Sequence, residues 1–476
     1  MKNKSSIHQV SRRQFLRGTA ATTAAISFPA IVTSKSTAAA KAAKTAKPLR
    51  VVQIGCGRIA HGMDMPGALR HPDLARIVGV CDVDSQRVAW AKQKVENSYK
   101  KSLGEAPKIA TSCDYRDLIA RDDVDAVMIS TPEHWHAQPV IEAALAGKHI
   151  YVQKPLTLTL TEGRMASDIV RANNRILQIG SQQRSTEQFH RACQLVRNGK
   201  IGKVRRIKIG LPSDPSGGNG KIVPVPKHLD YNQWLGSTAE VPYTVDRVHT
   251  DGSLKGRPGW LRQNQFTLGM ITGWGSHHLD IAHWGMDTEY TGPIAINASA
   301  SWPGKDSFWD VHGDYNIALT YANGVELEVS HKLPNGIRFE GDEGWIWVSR
   351  GSYTATKSDP TAGKKATKAF DASNQSWITS DLSKDDVQLH RSPNWDHHLD
   401  WFQAVKEGRS AVTNVETGHR SCSACMVSWI GMKLARPLKW DPVKEQFNDA
   451  EANALRARAE RAPYGIQQFA DKVQKG

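Results

Sequence analysis

The first strong apolar pattern in the chain covers residues 49–60, where a run of Val and Ile leads into Gly55-Cys56-Gly57 and, three residues later, Ala60. Such a run predicts a buried strand, and the glycines predict a tight turn into a helix. Gly55 permits the sharp turn, Gly57 lets a pyrophosphate approach bare backbone, and the small Ala60 lets the helix lie close to the strand. The stretch therefore predicts the start of a dinucleotide-binding βαβ unit.

A second apolar run, over residues 75–82, ends in Asp82, which follows Gly57 by 25 residues. This is close to the spacing expected for the acid that binds a ribose 2′-hydroxyl. A carboxylate repels a 2′-phosphate, so Asp82 favours NAD over NADP. Arg87, five residues further on, moderates this preference.

From residue 49 to about residue 181 the pattern alternates between strands and helices, as in a parallel sheet. The predicted helices cover residues 84–98, 139–146 and 161–173, and the predicted strands after Asp82 cover residues 113–115, 124–130, 149–152 and 176–181. Ligands bind at the carboxyl ends of such strands, and five candidate residues fall there: Gly55, Asp82, Thr131, Lys154 and Gln182.

Beyond residue 200 the strands alternate apolar and polar positions or are joined by Asn-Gly turns (Asn323-Gly324, Asn335-Gly336), which is antiparallel patterning. The predicted strands cover residues 204–210, 294–301, 315–321, 325–330 and 345–348. Residues 211–265, rich in Pro and Gly, are predicted to form long functional loops, and residues 351–390 an exposed excursion. Helices are expected at residues 395–406 and 417–434.

The predicted fold class is an α/β Rossmann domain followed by an α+β domain with an open, mainly antiparallel sheet. The predicted division is a signal peptide over residues 1–40, a linker over 41–48, the Rossmann domain over 49–180, the α+β domain over 181–440 and a tail over 441–476. No internal repeat is visible.

The amino terminus carries Arg12-Arg13 ahead of Phe15-Leu16, followed by a short apolar run to Val32. This pattern is typical of a twin-arginine export signal, which predicts a periplasmic or secreted protein. The run is interrupted by Pro29 and polar residues, and no other long apolar run follows, so we expect no membrane span in the mature form.

The net charge of +15 does not indicate nucleic-acid binding. Six of the positive charges lie within residues 1–40, which hold no acidic residue, and three more are linker lysines; the remaining excess of +6 is dispersed. The fifteen tryptophans suit a site that stacks sugars, although tryptophan is also a common core residue.

By these features the chain resembles the glucose-fructose oxidoreductase/inositol dehydrogenase (Gfo/Idh/MocA) family over roughly residues 49–440. The resemblance depends on the glycine-rich turn, Thr131-Pro132 with His136, Lys154-Pro155, and the run from Gly275 to Asp280. It implies that a nicotinamide lies between the two domains and exchanges hydride with a secondary alcohol of a sugar, polyol or glycoside.

The catalytic candidates are Lys154, His277 and Asp280. Lys154 ends a strand, where burial and a positive nicotinamide would lower its pKa and make it a polarising group or proton shuttle. In the family's pattern the histidine at position 277 takes the hydroxyl proton, and Asp280 lies on the same helix face three residues later.

Two departures from the family pattern affect this chemistry. The usual Glu-Lys-Pro is Gln153-Lys154-Pro155, and the usual Asp four residues before His277 is Gly273. The site therefore loses up to two negative charges, and Asp280 or a residue from the 246–262 loop are the candidates to replace them.

The remaining site predictions concern ligands. The cofactor-binding candidates are Gly55, Gly57, Arg58, Ile59, Asp82, Thr131, Pro132, His136 and Lys154. The substrate-binding candidates are Gln182, Arg184, Arg257, Trp260, Trp274 and His278. We expect no metal, because the adjacent histidines His397 and His398 point about 100° apart on a helix. The six cysteines, including Cys422 and Cys425, are interpreted as packing residues.

Export adds a constraint, because the cell envelope supplies no free nicotinamide pool. We therefore expect tightly bound NAD(H) that is reduced and reoxidised within an oxidoreductase acting on carbohydrates. Separately, we expect a homo-oligomer, because the exposed face of an open sheet often pairs with another subunit. Two alternatives stay open: a redox-neutral, NAD-dependent glycoside cleavage or epimerisation through a keto sugar, and a binding protein without turnover.

Overall fold

The computed structural model describes residues 47–249, 256–351 and 368–473. The predicted signal peptide, most of the linker and the first part of the 351–390 excursion lie outside the described residues. Within them, residues 47–473 belong to one compact unit.

The amino-terminal half contains a parallel sheet in the order β3-β2-β1-β4-β5-β6. Its strands are β1 (Leu49–Ile54), β2 (Ala75–Cys81), β3 (Ala110–Ser112), β4 (Ala126–Ile129), β5 (His149–Val152) and β6 (Leu177–Ile179). The helices of this half are α1 (Met65–Leu69), α2 (Ser85–Leu103), α3 (Tyr115–Ile119), α4 (Ala137–Leu145) and α5 (Leu160–Ala172). Every residue of β4 is buried, because helices cover both faces of the sheet. This is a doubly wound Rossmann arrangement, as predicted.

The carboxy-terminal half contains a nine-stranded sheet in the order β13-β12-β11-β7-β10-β9-β8-β14-β15. Its strands are β7 (Val204–Gly210), β8 (Pro293–Ala300), β9 (Tyr315–Tyr321), β10 (Glu326–Ser330), β11 (Gly336–Gly341), β12 (Trp345–Val348), β13 (Phe370–Ala372), β14 (Leu438–Asp441) and β15 (Gln446–Phe447). Among the strand pairings of this sheet in the described residues, the β7–β10 pairing alone is parallel. Along β9, buried and exposed residues alternate, so one face of this open sheet packs inward and the other meets solvent.

The helices of this half are α6 (Glu187–Arg197), α7 (Tyr231–Leu235), α8 (Val245–Val248), α9 (Met270–Gly273), α10 (Gly275–Met286), α11 (Ser376–Thr379), α12 (His397–Glu407), α13 (Val415–Leu434), α14 (Ala450–Ala454) and α15 (Ala470–Val473). Helices α6, α10 and α13 pack against strands of the sheet. All residues of α10 are buried. One apolar cluster joins Val127 and Val152 of the Rossmann sheet to Ile207 and Leu319 of the second sheet. The two halves therefore share a core, which fixes the cleft between them.

The predicted fold class is confirmed, while several local predictions need correction. The expected strand at residues 113–115 is wrong: β3 ends at Ser112, and the Asp114 side chain accepts a hydrogen bond from Arg116 N and caps α3. Cys113 is exposed rather than packed, whereas the other five cysteines are buried. Polar side chains that bond the local backbone favour a cap over a strand here.

The second Asn-Gly pair does not form a hairpin. Gly336 begins β11, and β7 lies between β10 and β11 in the sheet. By contrast, Asn323-Gly324 joins β9 and β10, which pair directly, with Gly324 at φ +83°. The loops at 211–265 contain α7 and α8, and the excursion contains β13 and α11.

The segment after residue 440 is also more ordered than the predicted tail. It supplies β15 and α14, and Arg458 donates to Glu162 Oε1 at 2.8 Å and to the His134 carbonyl at 3.1 Å. No helix among residues 47–249, 256–351 and 368–473 combines the length and apolar character that crossing a membrane requires.

Candidate active site

A cleft of about 1330 Å³, solvent included, opens at the carboxyl ends of β1 and β4, where the strand order of the parallel sheet reverses. Ligands of doubly wound folds bind at such a switch point. One wall comes from the Rossmann strand ends, and the other from the 211–265 segment, which contributes Trp234, Val248, Trp260 and Leu261. The lining includes all nine predicted cofactor-binding residues: Gly55, Gly57, Arg58, Ile59, Asp82, Thr131, Pro132, His136 and Lys154.

The glycine-rich turn has the geometry that a pyrophosphate requires. Gly55 has φ +80°, and a Cβ there would lie 2.8 Å from the backbone of Ser130 and Thr131, so only glycine fits. A Cβ on Gly57 would meet nothing closer than Arg87 Nη1 at 3.8 Å. The space above Gly57 is thus open on the cleft side, as a dinucleotide site needs.

Asp82 ties this turn to the end of β2. Its carboxylate accepts hydrogen bonds from Cys56 N at 2.7 Å and Asp84 N at 3.0 Å. Burial raises the pKa of Asp82, and the charge of Arg87 opposes that rise. Because each oxygen keeps a lone pair, the carboxylate can also accept a ribose hydroxyl.

His136 braces the next strand end. Its Nδ1 contacts the Pro155 carbonyl at 2.6 Å and its Nε2 the Thr131 carbonyl at 3.0 Å. Burial lowers the pKa of this imidazole. His136 therefore links Thr131 to the Lys154-Pro155 segment, whose peptide bond is cis.

Lys154 lies on the floor of the cleft with its ammonium donating to the Gly273 carbonyl at 2.7 Å. Burial lowers the pKa of Lys154 and the charge of Glu133 opposes this, while the charges of Arg257, Arg350 and Arg58 add to the lowering, so that the pKa is about 8. A backbone carbonyl thus accepts from the lysine at the position where the family pattern has an aspartate.

Glu133 is the functional candidate that sequence reasoning missed. Its carboxylate is buried in the cleft lining and accepts from the Thr267 hydroxyl at 2.9 Å and the Thr272 hydroxyl at 3.2 Å. Burial raises the pKa of Glu133 to about 7, against the charge of Lys154. Its position directly after Thr131-Pro132 could have pointed to Glu133 in the sequence. That Glu133 lies near Lys154, however, is visible only in the tertiary structure.

Gln153, which stands where the family pattern has a glutamate, donates hydrogen bonds to a neighbouring buried carboxyl group. Gln153 Nε2 donates to both oxygens of Asp64, at 2.8 and 3.0 Å, and the Ser130 hydroxyl donates to Asp64 Oδ2 at 2.6 Å. His398 Nε2 lies 3.2 Å from Asp64 Oδ1. A carboxyl group thus lies one side chain deeper, on Asp64, and Gln153 is its hydrogen-bond donor.

His277 lies close enough to Lys154 and Arg350 for their charges to act on it. Burial lowers the pKa of His277 well below its ordinary value, and Arg350 and Lys154 lower it further. Its Nδ1 is buried without a hydrogen-bond partner in the described part of the chain. The imidazole is therefore neutral and a weak base, and His277 is not among the described residues that line the cleft.

Asp280 does not fill the role that we expected for it. It is 1% exposed, and its two oxygens accept from Arg184 Nε and Nη2, both at 2.7 Å. Ser421 also donates to it at 2.8 Å, and Arg184 binds Glu289 as well. Both Asp280 and Arg184 are sealed in this cluster, which argues against their roles in catalysis and substrate binding.

The other substrate candidates are divided between cleft and core. Trp260 lines the cleft, and Arg257 lies near Glu133 and Lys154. Trp274 is buried with Arg350 stacked 4.5 Å from its ring centre, and His278 Nε2 contacts Asn335 Oδ1 at 2.8 Å. Gln182 begins a short 3₁₀ turn after β6 and is half-buried.

The fold and this cleft define the class of an NAD(P)-binding oxidoreductase. Residues 49–181 match the family model of the oxidoreductase family with an NAD-binding Rossmann fold, and residues 217–375 and 372–466 match the C-terminal alpha/beta domain of that family. The chain therefore belongs to the Gfo/Idh/MocA oxidoreductase family and is an NAD(P)-dependent oxidoreductase. Residues 9–29 match the twin-arginine translocation signal, which directs the protein to the periplasm or beyond.

Curated relatives include the uncharacterized oxidoreductase YrbE of Bacillus subtilis (strain 168), 26% identical over 318 residues, which are 67% of this chain and 76% of the relative. Glycosyl hydrolase family 109 protein 2 of Shewanella sp. (strain ANA-3) is 35% identical over 162 residues, 32% of this chain. The chain spans 35% of that relative's length.

Solved structures share the fold. The aldose-aldose oxidoreductase from Caulobacter crescentus, complexed with glycerol, aligns with TM-score 0.55 and 18% identity over 83% of this chain and 100% of its own. The WlbA dehydrogenase from Bordetella pertussis, in complex with NADH and UDP-GlcNAcA, aligns with TM-score 0.57 and 14% identity over 83% of this chain and 99% of its own.

Proposed function

We propose that the protein moves hydride between a tightly bound NAD(H) and a secondary hydroxyl of a sugar, polyol or glycoside. The observation that carries this proposal is the position of Lys154, which lines the same cleft as Gly57 and Asp82 and has a lowered pKa. The aldose-aldose oxidoreductase among the structural neighbours supports a carbohydrate substrate.

The nicotinamide, when bound, supplies the hydride acceptor or donor. Gly55 and Gly57 would hold its pyrophosphate, and Asp82 its adenosine ribose. With a pKa of about 8, Lys154 can polarise the substrate oxygen as an ammonium and take up its proton as an amine. Glu133, with a pKa of about 7, is matched to exchange that proton with Lys154. The resemblance to the family gives His277 a role in proton uptake, but its lowered pKa makes it a weaker base than Lys154.

We propose NAD rather than NADP, because the Asp82 carboxylate would repel a 2′-phosphate. Arg87 also lines the cleft and weakens this preference. Export by the twin-arginine route carries folded proteins, so the cofactor would be acquired before export and retained between turnovers. Denaturing protein purified from the periplasm should release about one NAD(H) per chain; a cofactor-free protein with reversible micromolar affinity would contradict retention.

The decisive experiment follows the cofactor and the sugar together. Purified protein is mixed with a panel of aldoses, polyols and glycosides, while the absorbance of reduced nicotinamide and the product mass are recorded. Reduction of the bound cofactor with loss of two substrate hydrogens supports the proposal, and Lys154→Met should abolish it. Bound cofactor without turnover of any sugar would favour a binding protein.

A second candidate function is redox-neutral cleavage or epimerisation of a glycoside through a keto sugar. It is supported by the glycosyl hydrolase family 109 relatives, which match only about a third of this chain. In the same panel, a cleaved or inverted sugar without net cofactor reduction would favour this candidate. Both reactions begin with the same hydride removal, so both require Lys154.

We further propose that the protein is a homo-oligomer that pairs through the solvent-facing side of its nine-stranded sheet. Exposed positions of β9 and β8, such as Asn316, Ala318 and Asn297, carry small or amide side chains that another copy could cover. Light scattering coupled to size exclusion tests this directly, and a monomer at micromolar concentration would refute it.

A further inference from the structure

Three metal-ligating side chains meet at the outer edge of the cofactor cleft. Asp84 follows β2, and His228 and His249 come from the 211–265 segment. Asp84 Oδ2 lies 2.7 Å from His249 Nε2 and 3.6 Å from His228 Nε2, and the three ligand atoms lie within 4.8 Å of one another. No residue of this cluster has a role in the proposed hydride transfer.

The carboxylate is held in a single orientation. Asp84 Oδ1 accepts from Gln86 N at 2.9 Å and Arg87 N at 3.3 Å and so caps α2. Oδ2 alone is therefore turned toward the two imidazoles. Asp84 is 2% exposed, and the hydrogen bond from His249 helps to lower its pKa although burial acts to raise it.

The two histidines are held as well. Backbone hydrogen bonds from Ser85 N to the His228 carbonyl (2.9 Å) and from Asp230 N to the Val83 carbonyl (2.9 Å) fix the turn that carries His228 beside the end of β2. His249 Nδ1 contacts the Tyr243 hydroxyl at 2.7 Å, so its Nε2 is the nitrogen that faces Asp84. This outer hydrogen bond is the arrangement that orients metal-binding histidines.

We propose that Asp84, His228 and His249 bind a zinc ion, with solvent as the fourth ligand. Two imidazoles and one carboxylate are typical zinc ligands, with bond lengths near 2.0–2.2 Å. In a tetrahedron this places ligand atoms about 3.3 Å apart. The His228–Asp84 separation is close to this value, His249 would move away from Asp84 by about half an ångström, and the two imidazole nitrogens lie within 4.8 Å of each other. The side chain of His228 is 29% exposed, which provides an entry path.

Such an ion would clamp the 211–265 segment onto the Rossmann half. Val248, next to His249, and Asp82, two residues before Asp84, both line the cofactor cleft. Zinc would therefore hold the wall beside the adenosine end of the site and slow the escape of the cofactor. Arg87 opposes the ion, since its Nε lies 4.0 Å from Asp84 Oδ2, although the Val248 carbonyl at 3.2 Å holds the guanidinium.

The test uses the full-length chain, freed of metal with a chelator and titrated with Zn²⁺ against a chromophoric competitor. Co²⁺ serves as a spectroscopic probe, and Mg²⁺ as a hard cation that imidazole does not favour. We expect one Zn²⁺ per chain, and at least tenfold weaker binding in His228→Gln and His249→Gln. Tyr243→Phe removes only the outer hydrogen bond and should weaken binding about 10–100-fold.

His71→Gln is the matched control. His71 contacts Asp396, which caps α12 just as Asp84 caps α2, but a second histidine does not complete that pair among the described residues. The site is supported if His71→Gln binds Zn²⁺ with wild-type affinity while His228→Gln and His249→Gln bind it more weakly. No Zn²⁺ bound at micromolar concentration, or equal loss in His71→Gln, would overturn it. Cofactor release that is slower with Zn²⁺ than without supports the clamp, and unchanged release would overturn that part.

Discussion

Arg184 with Asp280 and Lys154 with Glu133 are two pairs of opposite charge in the interior, and of these two only the second lines the cleft. Arg184 and Asp280 are bonded through two parallel hydrogen bonds, and Glu289 and Ser421 complete the cluster. Burial acts to lower the pKa of Arg184, but the charges of Asp280 and Glu289 outweigh it and raise that pKa. This pair is therefore locked in its charged form.

The pair of Lys154 and Glu133 behaves in the opposite way. Burial moves the pKa of the lysine down to about 8 and that of the glutamate up to about 7, so both can change protonation near neutral pH. Lys154 donates to a backbone carbonyl, and Glu133 accepts from two threonine hydroxyls. Neither residue has a direct hydrogen bond to a group of opposite charge among these contacts. A buried charge marks a reactive site when its bonding is incomplete and a ligand can reach it.

The largest expected effect comes from removing the reactive cation. Lys154→Met should lower kcat of hydride transfer about 10²–10⁴-fold, because no side chain remains to polarise the substrate oxygen. Single-turnover reduction of the bound cofactor measures it. Lys208→Met is the control and should leave the rate unchanged. Lys208 lies on β7 and forms an ion pair with Glu340 of β11. A rate near the wild-type value would remove Lys154 from the mechanism.

Breaking the sealed pair should instead damage stability. Arg184→Met leaves the Asp280 carboxylate buried without its partner, which costs about 3–5 kcal/mol of unfolding free energy. Denaturant unfolding measures this, with Arg205→Met at an exposed pair with Asp342 as a control that should change little. If Arg184→Met folds as stably as wild type but loses substrate affinity, the original assignment of Arg184 to substrate binding regains support.

Restoring the family's glutamate tests whether Asp64 supplies the missing charge. Gln153→Glu replaces a donor with a second carboxylate beside Asp64, and should cost about 1.5–3 kcal/mol through the lost hydrogen bonds to a charged group. Adding Asp64→Asn should recover most of that loss, since the amide can donate in return. Equal stability of Gln153→Glu and wild type would show that the bonds to Asp64 contribute nothing.

The smallest expected effect is a shift in pH dependence. The negative charge of Glu133 raises the pKa of Lys154, so Glu133→Gln should lower that pKa. If neutral Lys154 accepts the hydroxyl proton, the rising limb of kcat against pH should move to lower pH by about one unit. Glu340→Gln is the control, because Glu340 pairs with Lys208 in the nine-stranded sheet and neither residue lines the cleft. An unmoved limb would uncouple Glu133 from the lysine.

The same variant changes the pH dependence of stability. The pKa of Glu133 is raised above its unfolded value, so native protein binds more protons and loses stability as pH rises from about 4.5 to about 7. Lys154 acts in the opposite direction, with stability regained between about 8 and 10.5. Glu133→Gln should remove the first slope and, because it also lowers the pKa of Lys154, should make the second slope begin at lower pH.

Local pattern alone established the Rossmann half, the export signal and the glycine-rich turn. These features depend on neighbours in the chain: apolar periodicity defines strands, and glycine spacing defines the turn. The bounds of β5, β7, β9 and β12 agree with the sequence predictions because each is a short apolar or alternating run between clear breaks.

Tertiary structure decided which charges face each other. Asp280 and Glu133 are both acidic residues in sequence motifs of the candidate site. Their local sequence does not predict that Asp280 pairs with Arg184, or that Glu133 lies near the charge of Lys154. Likewise Asp84, His228 and His249 lie far apart along the chain and meet only when the 211–265 segment folds against β2. Pairing across long sequence separations depends on how the domains pack, and local periodicity carries no information about it.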